Sequence, residues 1–337
     1  MRYTVWIKPV QGILNAAQKA NLNTEALLGA IGLDSSILQD NEARISHEKL
    51  CDLWREITRT SGEQAIGLRL AQLAEPGSCD VIDYAVDSCL NVGEVLSRIG
   101  HYSRLIHDGE QWEWETNGKV LRIIFTVPGV SIPLPEASCQ WMMASMVLHA
   151  RRLTGLDWVP LKVGFQHQSP EDVSPYRLLF QAPLEFEQPV NDIIFDAKLL
   201  EQPFVNANPG LFAVLDRYIM ELLAKLPQQA SLVDNVRREI SVGLRSGDPG
   251  LEAIAFRLAI APRTLQRKLK EAGTSHQELL DEMRRELSIY YLQERQMAVC
   301  EVAFLLGFSE TSAFHRAFKR WTGTTPGEFR RTPHSAL

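Results

Sequence analysis

The sequence predicts an α+β domain followed by an all-α domain with two helix-turn-helix motifs joined by a linker helix. Three observations carry this. Helical periodicity in the first hundred residues gives way to period-two segments mixed with helices. The run Asn206-Ala207-Asn208-Pro209-Gly210 breaks the chain, and no strand signal follows it. The C-terminal segment contains one helix–break–helix pattern twice. A length of 337 residues agrees with two domains at roughly 150 residues each.

Composition excludes several classes. With 45% hydrophobic and 23% charged residues, the chain is not disordered over most of its length. No stretch approaches the roughly 18–20 apolar residues of a membrane helix. The longest candidate, Ala144 to Leu148, is bounded by His149, Arg151 and Arg152. The N-terminus, Met1 to Pro9, has no apolar core of signal-peptide length. A soluble, cytoplasmic protein with no membrane partner is expected. The cysteines are Cys51, Cys79, Cys89, Cys139 and Cys300, an odd number with no C-x-x-C pair. They predict buried thiols rather than disulfides or a structural zinc site.

The elements follow in order. Ser46-His47-Glu48-Lys49-Leu50 opens a helix whose Leu50, Leu53, Trp54 and Ile57 share a face, and Gly62 stops it. Gln64 to Leu73 is a second helix, closed by Pro76-Gly77; Val81 to Leu90 and Val92 to Ile106 are two more. Gln111 to Glu115 alternates with period two, Asn117-Gly118 is a hairpin turn, and Val120 to Val127 is the return strand. Pro135 to Leu153 predicts a long helix, Val159 to Phe165 a strand, and Asp172 to Phe180 a short helix. Leu184 to Phe186 and Asp192 to Phe195 complete the strands. Leu211 to Leu226 carries a seam of Leu215, Ile219, Leu222 and Leu226. Two arrangements fit that seam: pairing with a second copy, or packing on its own domain. Pro227-Gln228-Gln229 reads as a linker. The divisions are therefore 1–207, a helical linker and dimerisation element at 208–230, and 231–337.

The first copy of the repeated pattern runs from Ile254 to Lys270, the second from Val302 to Lys319. Ala255 and Ala303 are small where two helices cross. Ala259 and Gly307 occupy the turns, and only glycine takes positive φ cheaply there. Ser309 is the expected N-cap of the second helix in the second copy, and Pro262 suits a first turn. Leu265 and Leu269, and Phe314 and Phe318, point inward at i, i+4 spacing. The opposite faces hold Arg263, Gln266, Arg267 and Lys270 in one copy, and Glu310, Thr311, Ser312, His315, Arg316 and Lys319 in the other. An apolar face backed by groups that bind bases or phosphates is what a recognition helix requires. Ser275-His276-Gln277-Glu278 is a capping box that opens a helix to about Leu292, and Thr325-Pro326-Gly327-Glu328 is another. Charge agrees: residues 1–227 carry 19 Lys and Arg against 28 Asp and Glu, whereas residues 228–337 carry 16 against 13.

The segment from Val299 to Arg331 resembles the signature of the AraC/XylS family of bacterial transcription regulators. The residues that carry it are Leu306-Gly307-Phe308-Ser309, Phe314, Arg316, Phe318-Lys319, Gly323 and Thr325 to Arg330. The resemblance implies a seven-helix domain whose base-facing positions include Arg263, Gln266, Arg267, Thr311, Ser312 and Arg316. The region before it resembles the effector domain of the ornithine-utilisation-regulator-like branch, through Ile66-Gly67-Leu68 to Gly77, Asp83-Tyr84-Ala85, Val92 to Leu96, Arg104 and Tyr176 to Phe180.

On this reading Arg267 and Arg316 contact guanine, Gln266 reads adenine, and Lys270, His315 and Lys319 touch phosphates. Thr264 completes the DNA-facing set. Glu310 either accepts from a cytosine amine or complements its helix N-terminus. Arg151-Arg152 either neutralise an acidic effector or complement a helix dipole, and Trp112 and Trp114 either floor a pocket or pack in the core. His101 and His107 are spaced poorly for shared metal ligation, and no H-E-x-x-H or phosphate-binding glycine loop occurs. No metal, cofactor or catalytic set is expected. Expected partners are double-stranded DNA, RNA polymerase, a small-molecule effector and a second copy of the chain. The competing reading is an enzyme tethered to DNA by its tail.

Overall fold

The computed structural model describes residues 3–128, 133–226, 232–293 and 297–331. The linker expected at 227–229 lies outside the described residues. The chain divides into two compact units, the first covering residues 2–127 and 134–228 and the second chiefly 229–337.

The first unit begins with strand β1 (Thr4–Trp6) and helices α1 (Ile7–Lys19) and α2 (Thr24–Ala30). Strand β2 (Arg44–Ser46) pairs antiparallel with β1 and leads into α3 (His47–Ser61). This ribbon corrects the all-helical expectation for the first hundred residues; three-residue strands are too short to show a period. Ser46 caps α3 through its hydroxyl, which accepts from the Lys49 amide at 3.3 Å. Helices α4 (Ile66–Leu73), α5 (Val81–Ser88) and α6 (Val92–Ile106) follow. Trp54, Tyr102, Ile7 and Leu27 lie in the core these helices share.

Strands β3 (Gln111–Thr116) and β4 (Val120–Thr126) form the expected hairpin around Gly118 at φ +83°. With β5 (Lys162–Gly164), β6 (Leu184–Glu185) and β7 (Asn191–Asp196) they make a sheet of order β3-β4-β7-β5-β6, antiparallel except for β5 on β6. The strand expected over Val159–Phe165 is shorter because only three residues meet β7. Leu121, Ile123 and Phe125 alternate inward along β4. Leu121 and Ile123 share a core with Met143, Ala144 and Val147 of α7 (Glu136–Thr154). Helix α8 (Ser174–Phe180) adds Tyr176 and Phe180 to that core.

Helices α4 and α7 cross with backbones nearly touching. A Cβ on Gly67 would lie 2.0 Å from the Ala137 carbonyl oxygen. Gln140 seals the crossing: its carbonyl accepts from the Gly67 amide at 3.1 Å, and its amide donates to Gln64 O and the Tyr176 hydroxyl.

The helix expected over Leu211–Leu226 is α9 (Pro209–Lys225). Ile219 is fully buried, and Leu215, Leu222 and Leu226 pack on the same core. The Tyr102 hydroxyl donates to Asp216 at 2.7 Å. The seam therefore packs on the core of its own unit.

Other expectations resolve locally. Arg152 forms a bidentate pair with Asp87, and Arg151 donates to Trp158 O and Leu179 O. Trp112 packs on Phe125, but Trp114 is 44% exposed. The thiols form no disulfide among the described residues, and only Cys300 is exposed. His107 is buried against His47, ring nitrogens 2.9 Å apart, whereas His101 is exposed.

At the start of β3, burial pushes the Glu110 carboxyl up to about 8. A carboxyl raised by folding favours the native state while protonated, so stability should fall as pH climbs from about 4.5 to about 8. Glu110→Gln should flatten that decline; a melting temperature that falls equally in the variant over the same range would assign it to other groups.

The second unit comprises α10 (Leu232–Ser246), α11 (Leu251–Arg257), α12 (Pro262–Glu271), α13 (His276–Gln293), α14 (Val299–Leu305), α15 (Thr311–Thr322) and α16 (Pro326–Arg331). It has two cores. Ile254, Ala255, Leu265 and Leu269 meet α10 in one; Val302, Ala303, Phe314 and Phe318 make the other. Helix α13 supplies Leu279, Leu280 and Met283 to the first and Leu292 to the second.

Candidate nucleic-acid interface

The two turns are built alike. In the first, Ile260 donates to Ala255 O and Ala259 to Phe256 O; in the second, Phe308 donates to Ala303 O and Gly307 to Phe304 O, all at 2.9–3.0 Å. This is the Schellman ending, and it needs a left-handed residue. Gly307 provides it at φ +70° and Ala259 at φ +52°. Alanine thus adopts the glycine conformation, and the first motif keeps its register. Ala259→Gly is expected to stabilise the unit by about 1 kcal/mol, because the left-handed conformation strains an L side chain. Chemical denaturation would check it, and a lower midpoint in the variant would count against the strain.

The recognition helices start differently. Ala261 precedes Pro262 at the first turn of α12, as expected for proline. In α15 the N-cap position belongs to Glu310, not Ser309. The correction follows from a second turn one residue longer than the first. Glu310 makes no capping bond to the backbone, and its carboxylate accepts from the Ser312 hydroxyl at 3.0 Å.

The buried faces of α12 and α15 are Leu265 and Leu269, and Phe314, Ala317 and Phe318. Opposite them, Arg263, Gln266, Arg267 and Lys270 are exposed on α12, and His315, Arg316 and Lys319 on α15 with Ser312; Thr264 and Thr311 are half-buried. With the buried leucines and phenylalanines aligned, Arg267 corresponds to Arg316 and Lys270 to Lys319. Arg267 pairs with Glu271 at 2.8 Å, both largely exposed. Each motif therefore presents an arginine and a lysine one turn apart on a solvent-facing helix.

The connector holds the pair. Helix α13 has 18 residues, about 27 Å at 1.5 Å per residue. The Ser275 hydroxyl accepts from the Glu278 amide at 3.2 Å and donates to its carboxylate at 3.0 Å. His276 bonds the Pro249 carbonyl at 2.8 Å. Farther along, Arg284 donates to the carbonyls of Leu306 at 2.8 Å and Gly307 at 3.1 Å, and lies 4.5 Å over the Phe308 ring. The sequence carried no sign of this clamp. Helix α16 opens with a full capping box: Thr325 N donates to Glu328, and Glu328 N to the Thr325 hydroxyl.

Two recognition helices with exposed cationic faces, fixed to one connector, define a DNA-binding protein with twin helix-turn-helix motifs. The comparisons extend this to the whole chain. The model "Arabinose-binding domain of AraC transcription regulator, N-term" matches residues 22–204, and a "Helix-turn-helix domain" model matches 254–332. The chain is 31% identical to the ornithine utilization regulator of Pseudomonas aeruginosa, across 99% of both proteins. It is 30% identical to the transcriptional regulator VirS of Mycobacterium tuberculosis, across 61% of this chain and 59% of VirS. The crystal structure of the transcriptional regulator CdpR from Pseudomonas aeruginosa superposes with a TM-score of 0.45 at 19% identity, covering 91% of this chain and 96% of CdpR. The chain belongs to the AraC family of transcription regulators. It is a DNA-binding transcription regulator. Among the described residues, no helix is long and apolar enough to cross a membrane.

Proposed function

We propose that the chain reads two adjacent major grooves on one face of a duplex, with α12 in one and α15 in the next, under control of a small-molecule effector held by the first unit. The observation that carries this is the matched pair of exposed cationic faces on a single connector. About 27 Å of helix, with a packed motif at each end, suits recognition helices about one DNA turn, ~34 Å, apart. Arg263, Gln266, Arg267, Thr311, Ser312 and Arg316 reach base edges; Thr264, Lys270, His315 and Lys319 contact the backbone, and Glu310 complements the N-terminus of α15. Residues 231–337 then bind DNA and residues 1–207 regulate, with α9 grouped with the regulatory part. The setting is the cytoplasm.

Two further partners fit exposed apolar surface. Leu211, Val214 and Tyr218 form an exposed stripe on the outer side of α9, where a second copy of the chain would pair. Phe256 and Phe304, at equivalent positions of α11 and α14, are 87% and 65% exposed, and RNA polymerase would bury them.

The test is footprinting of the full chain on genomic DNA, with and without cell-derived metabolites. Two protected segments one helical turn apart on one face, whose occupancy changes with a metabolite, are expected. A single protected segment, or no sequence preference at low ionic strength, would overturn the reading.

A further inference from the structure

A cleft of about 290 Å³ opens in the first unit between α1 and the segment entering α5. Lys8 and Asn15 line it from α1, and Gly77, Ser78, Asp80 and Tyr84 from the other side. Lys8 Nζ lies 3.0 Å from an Asp80 carboxylate oxygen and 2.8 Å from the Asn41 side-chain oxygen. The Lys8 side chain is mostly buried, and that of Asp80 is about half exposed.

Asp80 stands out twice. Its backbone sits at φ 54°, ψ −130°, a conformation that L residues rarely adopt. It also holds the N-cap position of α5, where an aspartate ordinarily accepts from helix amides, yet it makes no capping bond. Asp83 instead accepts from the Cys79 amide at 3.0 Å. Strain and a forgone cap meet at one residue, and their joint result is a carboxylate held opposite a lysine in a cleft. Backbone strain of this kind persists where surrounding structure enforces it, and it gathers at ligand sites.

We propose that this cleft binds a small zwitterionic metabolite, an amino-acid-like compound whose carboxylate meets Lys8 and whose ammonium meets Asp80. A lone anion would face Asp80, and a lone cation would face Lys8. A neutral ligand would part the ion pair and replace neither half. A zwitterion replaces both. The cleft lies at the lower end of the roughly 300–1,000 Å³ of drug-sized sites, which suits a metabolite rather than a cofactor or peptide. Ser78 and Tyr84 supply hydroxyls, and Asn15 an amide, for its remaining polar atoms. The site has a route outward: α5 packs along α9, and the Asn208 amide at the head of α9 donates to Ser88 O at 2.9 Å. Helix α9 is the last described element before the second unit in sequence. As the effector site of the regulator, the cleft rests on the effector-responsive reading above; as a binding site it stands alone.

The experiment is thermal shift and titration calorimetry on the full chain, with the twenty amino acids and L-ornithine as probes. At least one zwitterion should raise the melting temperature saturably. Its decarboxylated amine and its deaminated acid each forgo one of the two ionic interactions, so each should bind on the order of tenfold or more weakly. Lys8→Met should weaken binding similarly. Asp80→Gly relieves the strained backbone, so it should melt higher without ligand yet show no ligand-induced shift, which separates removal of the binding carboxylate from damage to the fold. Binding by no zwitterion, equal binding by the amine or the acid alone, or wild-type affinity in Asp80→Gly would each overturn the site. If a zwitterion binds while operator occupancy stays fixed, the site holds and the effector-responsive reading fails.

Discussion

An Arg316→Ala variant is expected to bind its operator about 1–3 kcal/mol more weakly and to lose preference at one base pair while keeping its preferences elsewhere. Arg316 is exposed on α15, backed by the buried Phe314 and Phe318 that fix the helix's rotation. A guanidinium presented in this way can donate two parallel bonds to guanine O6 and N7. Its counterpart Arg267 is engaged with Glu271 at 2.8 Å. That exposed pair contributes at most about 1 kcal/mol, yet its loss on docking subtracts from what Arg267 gains, so Arg316 should show the larger effect. Lys319, one turn further along the same face, is the control. A phosphate contact carries no sequence information, so Lys319→Ala should weaken operator and random DNA alike and reduce the salt slope by about one. Binding isotherms on both DNAs at several salt concentrations check the pair. If the two variants lose affinity equally on operator and random DNA, the division of α15 into base and phosphate contacts is wrong.

Why these residues were legible, and others not, follows from the range of the interactions involved. The second unit announces itself because its signals are local and doubled: capping boxes at Ser275 and Thr325, and inward pairs four residues apart in two copies. Ala259 obscured the first turn, since composition favours glycine where the backbone turns left-handed, and only the backbone shows that alanine accepts it. The sheet was legible from period-two alternation, whereas the β1–β2 ribbon, with strands of three residues, offers no period. The α9 seam satisfied two readings at once, because a 4-3-4 spacing describes an apolar face without saying what covers it. In the fold its residues pack on the unit's own core, and Asp216, beside Leu215, accepts from Tyr102, more than a hundred positions away. His47 against His107 and Lys8 against Asp80 are likewise long-range pairs of unremarkable residues.

Removing the Arg284 clamp should have the other large effect. The guanidinium donates to Leu306 O and Gly307 O, the carbonyls of the cap and turn that close α14, and stacks over Phe308. Carbonyls at a helix end have no partner within the helix. Bonds from a charged donor contribute about 1.5–3 kcal/mol, so Arg284→Ala should destabilise the second motif by roughly that amount. The first motif should hardly change, because its core is Leu265, Leu269, Leu279, Leu280 and Met283. The functional consequence exceeds the stability loss. Recognition helices set one DNA turn apart gain from each other only while the connector fixes their separation and rotation, and Arg284 is where α13 grips the second turn. The variant should therefore keep the protected segment read by α12 and lose the one read by α15. Arg284→Lys should restore it only in part, since an ammonium lacks the planar fork that reaches both carbonyls and the ring. Hydrogen exchange over α14 and α15 against α11 and α12, alongside the footprint, separates the possibilities. Unchanged protection in α14 and α15 with both DNA segments still covered would show that hydrophobic packing through Leu292 is enough to hold the second reader in place.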